Sequence, residues 1–396
     1  MNTRKILFTQ AILFSATLFF SCNSKQPVSE TYDFPVDTVQ VDIDTYVSSE
    51  KYIIKTDSID IIRLIPLETK DESLIGTVSK LKVTNDRIFI LDNDIAKALL
   101  AYDSAGKFLY RIGNKGNGPG EFFRGPHDFS INPEKKQIYV FEAESRKVVI
   151  FDWNGTFVIE KKFSKWPYGF ALSAPDNYLF AYRTKSDQYE FSITGKEENS
   201  LFQFCNLRSD LNYTTPFPIT INGDNMYFTP NLSTLLCKIG NDKITKGIYF
   251  DFGKYNLPQD LKTKMQKNYE PSLLNEKTYV SGIRNVLESD DLLYFNYPYG
   301  RMQFAYIFDK TNQVYRTGAS LFEGFIPSNI QEIKKDTLLS TLTPHIYEHY
   351  NQIKNGNDPE TQKYLSRIPE AFRQLLDTIP ENANPTVCFF RIKSFR

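Results

Sequence analysis

Three histidines, four cysteines, four methionines and two tryptophans are all that 396 residues supply of these types. Chemistry that gathers many metal ligands or thiols is therefore hard to build. No Cys-x-x-Cys pair occurs, which argues against a structural zinc site of the cysteine type. Cys205, Cys237 and Cys388 lie in apolar, strand-like contexts and read as small buried hydrophobes rather than a disulfide framework. An excess of charge of one sign is also missing: Lys plus Arg and Asp plus Glu both total 47. With no basic cluster in the sequence, a nucleic-acid groove is not expected. Long hydrophobic runs are absent as well. The apolar stretch Ile6–Phe20 is shorter than the roughly 20 residues that a spanning helix needs.

What is present at the N-terminus is an export pattern. Arg4 and Lys5 precede the apolar stretch, and Ser21-Cys22 ends it. A basic start, a short apolar core and a small residue before a cysteine describe a cleavable leader over residues 1–21 with Cys22 as the lipid-bearing residue. Phe19 stands where such signals usually carry leucine, while Leu18 and Ser21 fit. Several acyl chains on one cysteine give stable anchoring, so the expected membrane partner is reached through Cys22. Residues 22–58, polar and acidic, read as a tether.

Aromatic residues make up 15% of the chain, nearly all Phe and Tyr, a composition suited to strands. They fall in a repeat. Asn85–Asp92 followed by Ala101-Tyr-Asp103-Ser-Ala-Gly106 aligns with Lys136–Glu142 followed by Ile150-Phe-Asp152-Trp-Asn-Gly155, at an offset of about 49 to 50 residues. Each copy is a strand, a polar excursion, a strand ending in aromatic-Asp, a Gly turn and a third strand. An Asp-x-x-Gly turn supplies a side-chain acceptor and a residue tolerant of positive φ. Weaker copies begin at Asn177, Asn225 and Leu292. Sheets of this size cannot bury their own faces and pack radially. Ile59–Ile65 and Thr386–Lys393 are left as orphan strands at the two ends. Their pairing would close a ring, so the expected fold is all-β: a six-bladed β-propeller over residues 59–396, with helical insertions in its C-terminal part.

Four stretches carry a resemblance. They are Leu64–Glu68 leading to Ser73–Gly76, the Asp103–Gly106 turn, Arg111–Phe122 with its Gly-Asn-Gly-Pro-Gly-Glu-Phe core, and Ile248–Gly253 before Leu257-Pro258. In them the chain resembles the six-bladed β-propeller lipoproteins of Bacteroides-type bacteria, which are similar to NHL-repeat propellers. The resemblance implies fold and export, and little chemistry. Asn23–Pro27 lacks the acidic cluster of surface-exported lipoproteins, so an outer-membrane protein facing the periplasm is expected.

Candidate chemistry is sparse. Gly113–Gly120 lacks both the Gly-Lys-Ser/Thr ending of a phosphate loop and the spacing of a dinucleotide fingerprint, and reads as a connection between blades. His345-Ile-Tyr-Glu348-His349 matches the H-x-x-E-H pattern of inverted zinc peptidases, and Thr343-Pro344 would start its helix. A third ligand is needed, and Glu360, Glu370 and Glu381 are merely available, so a solvated helix is the simpler reading. Asp92 and Asp94 lack the pattern of a calcium loop and read as strand-end turns. No cofactor or metal is therefore implied.

Inner-strand starts line the mouth of a propeller channel. Arg124, His127, Trp166, Tyr168 and Arg284 fall at such starts, and Tyr299 and Arg301 on a loop of a later blade. Aromatic faces and guanidinium forks suit a glycan, a peptide or an envelope protein. The expected function is a ligand-binding or protein-interaction module; the alternative is a propeller enzyme, a hydrolase or lyase acting on carbohydrate or peptide at the channel mouth. That alternative requires carboxylates converging on His127.

Overall fold

Six four-stranded antiparallel meanders are set around one axis in this computed structural model. It describes residues 32–44, 54–174, 177–207, 210–211, 214–267, 278–300, 302–319, 321–323, 326–327 and 329–393. The leader, Cys22 and Arg301 lie outside the described residues. Everything below belongs to the unit that begins at Phe34.

From the inner to the outer strand, blade 1 is Lys80–Val83, Arg87–Asp92, Ala98–Asp103 and Phe108–Ile112. Blade 2 is Asp128–Asn132, Gln137–Glu142, Lys147–Asp152 and Phe157–Lys162, and blade 3 is Pro167–Ala174, Asn177–Tyr182, Tyr189–Thr194 and Ser200–Asn206. Blade 4 is Ile219–Asn222, Asn225–Phe228, Leu235–Gly240 and Lys243–Asp251. Blade 5 is Arg284–Glu288, Leu292–Tyr299, Met302–Asp309 and Val314–Gly318. In blade 6, Glu332–Lys334, Thr337–Leu342 and Thr386–Ile392 are completed by Ile59–Pro66 as the outermost strand. The two orphan strands of the sequence thus pair antiparallel, from Ile59 opposite Ile392 to Pro66 opposite Thr386, and close the ring.

The repeated turns form as their residues dictate. Asp103 Oδ1 accepts from the amides of Ala105 and Lys107, both at 2.9 Å, and Gly106 takes φ +88°. Asp152 Oδ1 does the same for Asn154 and Thr156 at 2.8 and 2.9 Å. Between blades the core is aromatic. Phe89 meets Trp153 edge-on at 5.3 Å and Phe129 at 6.3 Å, joining blades 1 and 2, and Phe250 meets Phe295 at 4.6 Å between blades 4 and 5. Cys237 and Cys388 are fully buried, Cys205 is half-buried, and none of the three is in a disulfide.

Among the described residues four α-helices longer than one turn lie in insertions. The helix α1 (Gln259–Lys267) lies between blades 4 and 5, and α2 (Pro344–Ile353), α3 (Pro359–Leu365) and α4 (Glu370–Leu376) lie between the second and third strands of blade 6. Phe372 and Leu376, one turn apart, put α4 onto Leu338, Leu342 and Phe390 of that blade.

One stretch expected within the tether has a different place. Val36–Gln40 pairs in parallel with Gly247–Asp251, adding a fifth strand to blade 4. Val41 and Ile43 then bury among Phe250, Phe252 and Tyr297. Val39, Val41 and Ile43, at alternate positions, give this polar segment one apolar side, which the flank of blades 4 and 5 covers, while Val36 and Thr38 stay exposed.

The channel is bridged where the inner strands end. Lys82 Nζ of blade 1 donates to the Ile221 carbonyl of blade 4 at 2.6 Å, across the ring. Asn222 Nδ2 donates to the Ile333 carbonyl at 2.8 Å, and the Val83 amide donates to Glu332 Oε2 at 2.9 Å. Burial pushes the Lys82 ammonium below its ordinary range. Near the other end Lys80 Nζ meets Asp128 Oδ1 at 2.6 Å, and burial raises the Asp128 carboxyl despite that partner.

Candidate functional site

In an antiparallel meander, the turn from second to third strand and the connection into the next inner strand emerge on the same face of the ring. Residues 93–97, 113–127, 143–146 and 163–166 therefore share one face of blades 1 to 3. Buried acids near the second-strand ends fasten these loops. Asp92 Oδ2 accepts from the Gly76 and Thr77 amides at 2.8 and 3.0 Å, and Oδ1 from Thr77 Oγ1, Asp94 N and Ile95 N at 3.0, 3.2 and 2.8 Å. Burial opposes its charge, but the amides of Thr77, Ile95, Ala96 and Gly76 outweigh it and hold the carboxyl below its ordinary value. Glu142 Oε1 accepts from the Arg124 and Gly125 amides at 2.6 and 3.3 Å, and Asp187 Oδ1 from the Trp166 amide at 3.4 Å. These acids are structural, as the strand-end reading of Asp92 expects.

On this scaffold several of the expected residues meet along one rim. Arg124 is exposed, and its guanidinium lies 5.6 Å from the ring of Phe123, itself 51% exposed. His127 is half-buried: Nε2 lies 3.0 Å from Glu144 Oε2, and Nδ1 accepts from the Ala143 amide at 3.4 Å. Trp166 is 52% exposed, with the Arg146 guanidinium 4.5 Å from its ring. Tyr168 follows on the inner strand of blade 3, half-buried.

Others stand apart from them. Arg284 opens the inner strand of blade 5, in register with Asn296. Tyr299 is not on a loop: its strand runs to Tyr299, which pairs with Met302 across a turn at Gly300. The ring is 6% exposed and packs edge-on against Tyr255 at 5.3 Å and Phe304 at 5.1 Å, and burial pushes its hydroxyl up to about 12. It is a core residue. The turn is too short to free it, and Pro298 within the strand disguised the strand's length.

A cleft of about 370 Å³ opens between blades 1 and 2 on the rim, and Lys97, Arg111, Lys115 and Arg124 surround it with Ile95 and Phe123. All six are exposed, Ile95 to 66%, and no acidic side chain lines the cleft. Among the described residues none of the four cations forms an ion pair. Arg111 Nη2 donates to the Ala96 carbonyl at 2.5 Å, which ties one wall to the other. Lys97, Arg111 and Lys115 escaped the sequence reading, which found no basic cluster, because Lys97 comes from the 93–97 turn, Arg111 from the outer strand of blade 1 and Lys115 from the 113–127 connection. One signal was present: at the repeat offset Lys97 aligns with Arg146, and both take a left-handed φ, +49° and +50°.

A larger cavity of about 660 Å³ lies where the chain near Lys55 and Thr56 meets the helical insertion. Its charges are mixed: Arg367 Nε pairs with Glu323 Oε1 at 3.2 Å, and Thr56 Oγ1 donates to the Arg367 carbonyl at 2.8 Å. This is a seam that holds the insertion to the ring. The H-x-x-E-H segment is helical, in α2, with His345, Glu348 and His349 all exposed. Among the described residues no group of three or more His, Cys, Asp or Glu side chains is placed to hold a metal ion, and no helix is long and apolar enough to cross a membrane.

A family model described as "Domain of unknown function (DUF4934)" matches residues 38–391. No curated protein matches the sequence. Among solved structures, a Bacteroides fragilis protein described as exported superposes with a TM-score of 0.74 at 20% identity, over 91% of this chain and 100% of that one. A member of the DUF4221 family from Bacteroides vulgatus superposes with a TM-score of 0.50 at 10% identity, over 85% and 100%. At these identities the likeness is one of fold.

Proposed function

For a chain that belongs to the DUF4934 family and folds as a six-bladed propeller, we propose a binding module of the cell envelope, anchored by lipid at Cys22 to the outer membrane and facing the periplasm. The observation that carries the binding reading is the rim of blades 1 to 3, where Phe123 beside Arg124 and Trp166 under Arg146 offer exposed aromatic surface next to guanidinium groups. Exposed aromatic and Arg side chains are what recognition surfaces concentrate. Export is supported by the leader pattern and by the exported Bacteroides protein of the same fold.

The test is a ligand screen of the full chain in detergent against glycans and peptides, read by thermal shift, with a variant carrying Arg124→Ala and Trp166→Ala beside it. A ligand at about 100 times its Kd should stabilise the native chain by about 2.7 kcal/mol. The double variant should lose that shift, and a variant that keeps it in full would remove this rim from the function. Metabolic labelling with a radioactive fatty acid tests the anchor: label lost on Cys22→Ser supports it, and label retained refutes it.

An enzymatic reading has one observation in its favour, the contact between His127 Nε2 and Glu144 Oε2 at 3.0 Å. A general acid–base pair would need further groups aimed at a bound substrate. Of the neighbouring acids, Asp128 is turned to Lys80 and Glu142 accepts from backbone amides through Oε1. Binding is therefore the reading the geometry supports best.

A further inference from the structure

We infer that the cleft between blades 1 and 2 is a subsite for a carboxylate-bearing sugar, so that the ligand of this propeller is an acidic oligosaccharide of the uronate class. The inference rests on the binding reading above and names the ligand chemistry of the same rim. Lys97, Arg111, Lys115 and Arg124 converge on one opening with no acidic side chain in its lining. The chain as a whole carries equal numbers of bases and acids, so four cations around one cleft with no ion pair among the described residues mark a local demand for negative charge. Guanidinium groups bind carboxylates through two parallel hydrogen bonds, and two of the four cations in this lining, Arg111 and Arg124, carry one.

The walls are held in place. Lys97 sits in a left-handed conformation with φ +49°, and its backbone packs so closely under Gly125 that a Cβ added at Gly125 would lie 2.9 Å from Lys97 Cβ. Gly125 itself takes φ +119°, and its amide bonds to Glu142. A strained, non-glycine residue fixed at the edge of a cleft is a position that packing over-determines, as ligand clamps require.

Two features separate a sugar from a peptide. Peptides gain much of their affinity by adding a strand to an exposed sheet edge, and this cleft is walled by loops and turns, with only Arg111 contributed from a strand. The exposed rings of Phe123 and, further along the rim, Trp166 suit pyranose rings, whose edges carry hydroxyls for the neighbouring polar groups.

Calorimetry of the full chain in detergent would use three probes: a galacturonate hexamer, the same hexamer fully methyl-esterified, and hexaglutamate. Binding is expected for the galacturonate, weaker by about tenfold or more for the ester and for Arg111→Ala/Arg124→Ala, in line with the loss of charge-assisted bonds. Unchanged thermal unfolding of the variant in the absence of ligand would show that it is folded. Equal binding of the ester would overturn the carboxylate requirement, equal binding of hexaglutamate would overturn the sugar class, and no binding of any probe would overturn the inference. A ligand from the wider screen that needs Trp166 but ignores Arg111 and Arg124 would also sink the subsite while leaving the binding face standing.

Discussion

Replacing Asp92 should both loosen the blade and disturb the rim. The carboxylate is fully buried and accepts five hydrogen bonds, from the amides of Gly76, Thr77, Asp94 and Ile95 and from Thr77 Oγ1. A hydrogen bond to a charged group contributes about 1.5–3 kcal/mol. The five share one carboxylate and are not additive, so Asp92→Ala should destabilise by about 3–5 kcal/mol. Asp92→Asn keeps the shape but turns one acceptor into a donor facing amides, and should cost about half as much. The sign with pH follows from the depressed carboxyl. Its contribution is present above the ordinary aspartate value of about 4 and is lost as pH falls through the lower folded value. Urea unfolding of the native chain and Asp92→Asn should therefore differ most at neutral pH and converge in acid. A neutral-pH difference below about 1 kcal/mol for Asp92→Ala, or one that grows in acid, would refute the clasp. Because Ile95 and Lys97 belong to the loop that Asp92 holds, the same variant should also weaken any ligand bound in the cleft.

Other substitutions test separate parts of the molecule. Gly106→Ala places a Cβ against the Pro66 carbonyl at φ +88°, and should lower stability by more than the roughly 1 kcal/mol that an ordinary Gly→Ala change involves. A neutral or stabilising result by urea unfolding would contradict the turn. Phe89→Ala removes the ring that joins blades 1 and 2, and should cost about 3–5 kcal/mol in the same assay; a cost below about 1 kcal/mol would contradict the packing. For α2, elemental analysis of the purified chain should find no zinc that is lost on His345→Ala/His349→Ala, since both side chains are exposed and no third ligand is gathered beside them among the described residues. Stoichiometric zinc lost in that variant would restore the metal reading.

Sequence reading reaches furthest where a residue's role is local. Asp103 and Gly106 announce their turn, and Asp92 announces a strand end, because acceptor and left-handed residue lie within a few positions. Ring closure was legible for a related reason: Ile59–Ile65 and Thr386–Lys393 had no neighbours in sequence to pair with, and each found the other. Arg124 and Trp166 could be placed on the rim because the repeat fixes where inner strands begin. What escaped depends on packing beyond the local chain. Val36–Gln40 has a partner more than 200 residues away, and Lys97 joins Arg111, Lys115 and Arg124 only once the 93–97 turn and the 113–127 connection stand side by side. Tyr299 was misplaced because Pro298 and Gly300 imitate a loop where the strand continues to the turn.

Hydrogen–deuterium exchange of the full chain with and without its best ligand tests the binding face most directly. Protection is expected in residues 93–97, 113–127, 143–146 and 163–166, the loops that carry Lys97, Arg124, Arg146 and Trp166. Protection confined to the opposite face, around residues 84–86, 133–136 and 335–336, with those four loops unchanged, would contradict it.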